Sequence, residues 1–344
     1  MKKVAVLGTG GTIASRAQLD GAVRATDGGE RLLARVDVIP DVEVLSRDVF
    51  LTNSFEMTCK HMLRLADAVR ESLSDPDMDG VVITHGTDTL EESALLLDLI
   101  HADDRPVVLT GAQRPADATD SDGPRNLADA IAVAADPATR GLGALIVFDG
   151  AVYPAFGTRK VDTLRPAAFA SPGSGPLGDV FGGTVTVRQR PVRPEPMPLE
   201  ALDLSGVRVD IATFYPGADA VALDAFANAG ARGIVLQGSG AGNANYSVVD
   251  KVANLTEAGV VLGLTTRVDA GPVVALYGNG GGIDLVRAGA IPMGTLRAPQ
   301  ARILLMAVLG METDPARVRG VIDTFVYRQT QREAKERIND AKAD

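Results

Sequence analysis

The stretch Lys2–Ser15, KKVAVLGTGGTIAS, combines two features on which the predicted fold and site depend. Its first half is a short apolar, β-branched run of the kind that forms a buried strand, and it leads directly into a glycine-rich turn. Ligands bind outside the carboxyl ends of strands in open parallel sheets. The turn is therefore a candidate site, either as a cradle for phosphate or as the holder of a hydroxyl nucleophile.

Composition favours a sizeable enzyme that acts on a small molecule. The chain has 344 residues, 46% of them hydrophobic, and this length is typical of two domains. Its single cysteine, Cys59, excludes an intramolecular disulfide framework and any multi-cysteine metal site. Neither a membrane span nor a signal peptide is indicated, so we predict a cytoplasmic protein. The net charge of −10 argues against nucleic acid and anionic membranes as partners.

Apolar runs alternate with helix-like segments along the whole chain. This rhythm predicts two α/β domains: a larger N-terminal domain with a parallel-rich sheet and helices on both faces, and a smaller C-terminal domain of the same class. The stretch RPVRPEPMPLEALD has the composition of an exposed linker. We predict an N-terminal domain at 1–189, a linker at 190–204, a C-terminal domain at 205–330 and a charged tail at 331–344.

Three polar loops follow predicted strands: GTGGTIAS from Gly8, THGTDTLEESA from Thr84, and TGAQRPADATDSDGPRN from Thr110. In the second loop, Thr89 and Glu92 have the spacing of a capping box, which predicts Thr89 as a helix N-cap. Thr87 and Asp88 then precede a helix N-terminus, where N–H groups and the helix dipole favour developing negative charge. Taken alone, this loop also fits an ordinary capped helix.

Several familiar kinds of site are absent from the sequence. Ile13 stands where a dinucleotide-binding GxGxxG needs glycine, and neither a Gly-Lys-Ser/Thr phosphate loop, a GxSxG elbow nor an HExxH metal motif occurs. We expect no metal and no cofactor. His61 and His101 are predicted at surface helix positions, and His85 is interpreted as a side chain that orients its loop.

A hydroxyl nucleophile that lacks a histidine needs another group to take its proton. A lysine in buried or cationic surroundings can do this. Lys160, in FGTRKVDT, is the candidate, with a solvated surface lysine as the alternative.

Two motifs together give a specific resemblance. TGGTIA at Thr9–Ala14 and ITHGTDTLEESA at Ile83–Ala94, in this order and each after a buried strand, resemble the bacterial-type L-asparaginase family, which includes the glutaminase-asparaginases. The likeness continues through LTGAQRP, SDGPRNL and GSGAGN. It covers the chain to about residue 327.

The resemblance implies hydrolysis of L-asparagine to L-aspartate and ammonia through a threonine acyl-enzyme, without metal or cofactor. Thr12 matches the nucleophile, Thr87 and Asp88 match the second catalytic threonine and its aspartate, and Lys160 matches their lysine. It also implies a homotetramer of two close dimers, with active sites at subunit interfaces.

The resemblance also assigns residues that bind substrate. Ser54 falls where the family binds the substrate carboxylate, Asp88 where it binds the α-amino group, and Asn243 where the C-terminal domain completes the partner's site. We also expect substrate contacts from the neighbouring motif positions: Gly11, Phe55, Gly86 and Ala112. The N–H groups of Gly11 and Thr87 are predicted to stabilise the oxyanion.

Three departures from the family bear on specificity. The loop QLDGAVRATDGGERL lacks the tyrosine that helps activate the nucleophile, and Phe55 stands where a substrate-binding glutamine is common. The carboxylate that a neighbouring subunit contributes has no clear counterpart. The alternatives are a glutaminase-asparaginase, a related amino-acid amide hydrolase, or a non-catalytic amino-acid-binding homologue.

Overall fold

A computed structural model describes residues 1–17, 20, 22–36 and 40–340 of the chain. By their internal contacts the residues divide into two compact units, Met1–Arg193 and the part from Pro194 onward. The last four residues of the predicted charged tail, 341–344, lie outside the described residues.

In its described residues, the first unit contains twelve strands and four α-helices. The strands are β1 (Lys2–Gly10), β2 (Ser15–Ala17), β3 (Val23–Ala25), β4 (Val42–Thr52), β5 (Gly80–Thr84), β6 (Val107–Thr110), β7 (Ala144–Phe148), β8 (Ala151–Pro154), β9 (Arg159–Lys160), β10 (Phe169–Ala170), β11 (Gly178–Phe181) and β12 (Thr184–Val187). The helices are α1 (Gly29–Leu33), α2 (Cys59–Leu73), α3 (Leu90–Ile100) and α4 (Gly123–Ala135).

Eight of these strands form one sheet, in the order β12-β11-β8-β7-β6-β5-β1-β4. Five adjacent strands pair in parallel: β4, β1, β5, β6 and β7. The remaining three, β8, β11 and β12, are added antiparallel. The central strands β5, β6 and β7 are buried at every position, as strands covered by helices require. The parallel pairing brings the carboxyl ends of β4, β1, β5 and β6 to one edge of the sheet.

The helices follow from local sequence. Helix α2 carries its buried side chains on one face, at Met62, Leu65, Ala66 and Val69, and Thr58 accepts a hydrogen bond from the His61 N–H to cap it.

The prediction that His101 lies on the surface is wrong. It is only 8% exposed, and its Nε2 donates to the carbonyl of Arg105 at 2.7 Å.

The second unit repeats the α/β pattern on a smaller scale. Its sheet has the order β13-β14-β15-β16, and all three pairs are parallel. The strands are β13 (Val209–Thr213), β14 (Gly233–Gly238), β15 (Val261–Thr266) and β16 (Ile291–Pro292). The helices are α5 (Val221–Asn228), α6 (Tyr246–Glu257), α7 (Gly282–Arg287), α8 (Ala298–Leu309) and α9 (Pro315–Asp340). The predicted fold class, with a larger parallel-rich N-terminal sheet and a smaller C-terminal α/β unit, is confirmed.

The end of β5 carries a buried hydroxyl without a partner. Thr84 is fully buried, and within the described part of the chain its Oγ1 has no hydrogen-bond partner. The equivalent hydroxyl of Thr110 on β6 donates to the carbonyl of Val147 at 2.7 Å. We expect Thr84→Val to stabilise the protein by about 1 kcal/mol, because valine has the same shape and removes the unsatisfied group. Urea unfolding measures this, and a destabilised variant would contradict it.

No helix in the described residues is both long enough and apolar enough to cross a membrane.

Candidate active site

Four polar segments meet at the sheet edge formed by β4, β1, β5 and β6. These segments approach one another so closely that only glycine fits at three of the contact positions. A Cβ atom at Gly11 would overlap the backbone of Gly86, one at Gly86 would overlap Ser54, and one at Gly111 would overlap the carbonyl of His85. The loops that the sequence singled out are therefore packed directly against one another.

Thr12 begins a short 3-10 turn, Thr12–Ala14, immediately after β1. Gly11, the residue before it, has φ of 80°, a left-handed conformation that glycine adopts without strain. The next two residues, Ile13 and Ala14, are buried and anchor the turn in the core. The hydroxyl of Ser15 donates to the carbonyl of Gly11 at 2.7 Å. This places Thr12 half-buried at the sheet edge.

Thr87, Asp88 and Lys160 form a connected cluster. Lys160 lies on the two-residue strand β9, and its Nζ donates to Thr87 Oγ1 at 2.8 Å and to Asp88 Oδ1 at 2.9 Å. Thr87 is 4% exposed, whereas the side chain of Asp88 is 52% exposed. Lys160 is not a solvated surface lysine, because its side chain is only 18% exposed. One ammonium group thus links a buried hydroxyl to an accessible carboxylate.

Gln113 fixes the direction of the Thr87 proton. Its Oε1 accepts from Thr87 Oγ1 at 3.1 Å, and its Nε2 donates to the carbonyl of Asp162 at 3.4 Å. A carbonyl can only accept, so the amide nitrogen faces Asp162 and the amide oxygen faces Thr87. Thr87 must then give its single proton to Gln113 and accept from Lys160. Gln113 was not singled out from the sequence, because nothing local distinguishes it from an ordinary loop glutamine.

Ser54 ties the segment after β4 to the second loop. It is 5% exposed, its Oγ accepts from the N–H of Asp88 at 3.2 Å, and its carbonyl accepts from Thr89 Oγ1 at 2.8 Å. Phe55, the next residue, is 67% exposed and does not belong to the buried core. Ala112 lies buried in the third loop.

The start of α3 differs from the expectation in one respect. Thr89 is the N-cap residue, as predicted, but its side chain makes no capping bond. The capping-box prediction is wrong because the Thr89 hydroxyl donates to Ser54 instead. A tertiary acceptor has replaced the local one.

The predicted oxyanion donors also need a correction. The N–H of Gly11 donates to the carbonyl of Thr52 at 3.1 Å, so the prediction that it stabilises an oxyanion is wrong. Within the described residues, the N–H groups of Thr12 and Thr87 have no acceptor. These two donors stand at the ends of β1 and β5, which are neighbours in the sheet.

His85 is a buried structural group. Burial lowers the pKa of its imidazole to about 4. Its Nδ1 donates to the carbonyl of Gly86 at 2.7 Å, which leaves Nε2 to accept from the Ser93 hydroxyl at 3.0 Å. With both ring nitrogens engaged, the side chain orients the second loop and has no free position for proton transfer.

Asn243 lies in the second unit, at the turn after β14. Its Oδ1 accepts from the N–H of Gly282 at 3.0 Å, and its backbone closes a bridge with Ser239. Its part in a neighbouring subunit's site stays a prediction. Within the described ranges of the chain, no group of three or more His, Cys, Asp or Glu residues could hold a metal ion.

Comparisons with known proteins match both units. Residues 3–193 match the family described as Asparaginase, N-terminal, and residues 208–322 match the Glutaminase/Asparaginase C-terminal domain. A probable L-asparaginase from Deinococcus radiodurans is 36% identical over 331 residues, which cover 95% of this chain and 99% of that protein. A glutaminase-asparaginase from Pseudomonas aeruginosa is 35% identical over 283 residues, covering 80% of this chain and 78% of that one.

A solved structure also matches this chain. The crystal structure of a probable cytoplasmic L-asparaginase from Campylobacter jejuni superposes with a TM-score of 0.83 at 31% identity. The match covers 94% of this chain and 99% of that one.

Proposed function

The chain belongs to the asparaginase family, and from that premise we propose that it hydrolyses L-asparagine to L-aspartate and ammonia through a threonine acyl-enzyme. The observation that carries the proposal is the Lys160–Thr87–Asp88 cluster, at the same sheet edge as the glycine turn that holds Thr12. A charged pair around a buried hydroxyl can transfer a proton while the net charge of the site stays low.

In the proposed reaction, the Thr12 hydroxyl attacks the carbon of the side-chain amide. The C–N bond breaks, and ammonia leaves with the proton that Thr12 has lost. Water then attacks the resulting ester, which releases L-aspartate and restores the hydroxyl. One water is consumed for each ammonia released.

We assign the removal of the Thr12 proton to the Lys160–Thr87–Asp88 cluster, with the Asp88 carboxylate as the acceptor, because the Lys160 ammonium can only donate. No tyrosine occurs between positions 18 and 32, where the family loop often carries one. Gly11, directly before Thr12, is in contact with Gly86, directly before Thr87, which supports a short path between the two hydroxyls. We assign the oxyanion to the N–H groups of Thr12 and Thr87, each of which can lower the barrier by roughly 3 kcal/mol if well placed.

Ser54 and Asp88 are the proposed anchors of the amino-acid backbone. The Ser54 Oγ already accepts from the Asp88 N–H, so its own proton can point to a substrate carboxylate. The Asp88 side chain is half exposed and binds Lys160 through Oδ1, which leaves Oδ2 for a substrate ammonium. Gly11, Gly86, Ala112 and the partner's Asn243 complete the proposed substrate contacts.

The test is ammonia release from purified protein supplied with L-asparagine. We expect turnover, and a protein that binds asparagine without releasing ammonia would be the non-catalytic homologue instead. Glutamine must be assayed beside asparagine, because the Pseudomonas aeruginosa relative is a glutaminase-asparaginase.

Phe55 is the residue at which we expect specificity to depart from that relative. A glutamine is common at this position in the family, and phenylalanine offers substrate no hydrogen bond. We expect wild-type kcat/KM for asparagine to exceed that for glutamine by more than about tenfold. Phe55→Gln should lower the KM for asparagine and narrow this ratio. An unchanged ratio would remove Phe55 from substrate recognition.

We also propose a cytoplasmic homotetramer. The single cysteine and the cytoplasmic relative from Campylobacter jejuni support the compartment, and the family resemblance supports the assembly. Light scattering on the purified protein measures the oligomer directly.

A further inference from the structure

Glu91 is a buried carboxyl next to the proposed catalytic cluster. It lies in the first turn of α3 and is 8% exposed. Its Oε2 accepts a hydrogen bond from the backbone N–H of Lys160 at 2.6 Å, across 69 residues of sequence. The contact joins α3, which begins just after Asp88, to the strand that carries Lys160.

Lys160 is consequently held from both ends. Its side chain donates to Thr87 and Asp88, and its backbone donates to Glu91. Strand β9 has only two residues and pairs with the equally short β10, so the sheet itself contributes little to fixing it. Glu91 therefore adds a hydrogen bond from α3 to a backbone that is otherwise held by this short pairing and by the N–H of Val161, which donates to the carbonyl of Ala168 at 2.7 Å.

A carboxyl at this position works against stability. Burial raises the pKa of Glu91 to about 7, and only partial compensation comes from the Lys160 N–H and from the charges of Arg159 and Lys160, both on β9. Because the folded-state pKa lies above the ordinary value, the stability present at acid pH is lost as the pH rises through 7. A neutral side chain of the same shape would avoid this loss.

We propose that Glu91 is a positioning residue whose carboxylate fixes Lys160 against Thr87 and Asp88, and that the enzyme is most active when this carboxylate is ionised. The inference rests on the proposed function and adds a residue to it. A charged acceptor makes a stronger hydrogen bond than a neutral one, so protonation of Glu91 loosens Lys160 without breaking the fold.

Glu91→Gln is the informative variant, because its amide oxygen can still accept from Lys160 but cannot carry charge. We expect wild-type kcat to rise about tenfold between pH 5.5 and 8.5, with a midpoint near pH 7. A tenfold rise matches the extra strength of a hydrogen bond to a charged acceptor over one to a neutral acceptor. The variant should stay at the low value throughout, with KM nearly unchanged. At pH 8.5 its Tm should exceed that of the wild type by several degrees.

Glu71→Gln is the matched control. Glu71 is an exposed helix glutamate paired with Arg47, and its replacement should leave both the pH profile and the Tm almost unaltered. The proposal is overturned if Glu91→Gln keeps the wild-type rise in kcat. It is also overturned if the variant is less stable than the wild type at every pH, because Glu91 would then be an ordinary structural contact.

A readout independent of turnover separates this inference from the proposed function. The chain has seven lysines, so ¹⁵N-lysine labelling yields few amide signals, and Lys160→Arg identifies the one from Lys160. We expect this signal to titrate near pH 7 in the wild type and not in Glu91→Gln. If the amide titrates but no ammonia is released, the proposed function fails while the Glu91–Lys160 coupling stands. If it does not titrate, the coupling fails even in an active enzyme.

Discussion

Replacing Thr12 by alanine is expected to lower kcat for L-asparagine by roughly 10³- to 10⁶-fold, the loss typical of removing a nucleophile. The substitution removes only the hydroxyl and methyl groups of a half-buried residue, and its neighbours Ile13 and Ala14 keep the turn anchored in the core. The Tm should therefore stay within a few degrees of the wild type. Ammonia release and thermal unfolding, measured on the same preparation, check both parts.

Two variants control this result. Thr12→Ser keeps a hydroxyl and should retain a measurable fraction of the activity. Thr9→Ser changes a threonine near the end of β1 whose Oγ1 donates to the carbonyl of Thr84 at 2.8 Å, and a serine can keep that bond. Thr9→Ser should be nearly as active as the wild type. If Thr12→Ala releases ammonia at the wild-type rate, Thr12 is not the nucleophile.

Thr87→Val is expected to lower kcat by roughly 10²- to 10⁴-fold, as the loss of a proton-transfer group does. Valine has the shape of threonine, so packing is preserved while two hydrogen bonds disappear, one from Lys160 and one to Gln113. Lys160 keeps Asp88 as a partner, and we expect a stability loss of about 1–2 kcal/mol. Steady-state kinetics with asparagine and urea unfolding measure the two effects.

Thr84→Val is the matched control for this variant. The same substitution, three residues earlier, removes a buried hydroxyl that has no partner among the described residues. It should leave kcat within about twofold and should not destabilise the protein. Equal losses of activity in both variants would mean that packing at the end of β5, and not the Thr87 hydroxyl, is what the reaction needs.

The architecture of the sheet could be predicted from sequence because its determinants are local. The runs GVVIT, VVLT and ALIVF are apolar throughout, as strands buried on both faces must be, and helical segments separate them. The motifs TGGTIA and ITHGTDTLEESA indicated the family, and both family domains match. Once the strands are parallel, their carboxyl ends share one edge, and the adjacency of β1 and β5 in the sheet makes the loops that carry Thr12 and Thr87 neighbours.

The partners of the polar side chains were decided by tertiary structure. The Thr89 hydroxyl bonds Ser54 in place of a capping bond, and the Gly11 N–H continues the pairing with β4 and is unavailable to an oxyanion. Both groups had a plausible local role, but each donates its hydrogen bond to a carbonyl on a neighbouring segment instead. Spacing along the chain carries no information about such an acceptor.

By itself, the sequence determined the fold class, the family and the loops in which chemistry is expected, because periodicity, glycine placement and motif spacing act over a few residues. The tertiary structure alone decided that Gln113 orients the Thr87 proton and that Glu91 holds the Lys160 backbone, over separations of 26 and 69 residues. Such contacts depend on sheet register and loop packing. The glycine turn after β1 illustrates both contributions. Its sequence motif identified Thr12, whereas the hydrogen bond from the Gly11 N–H to the Thr52 carbonyl determines which N–H groups remain for the substrate.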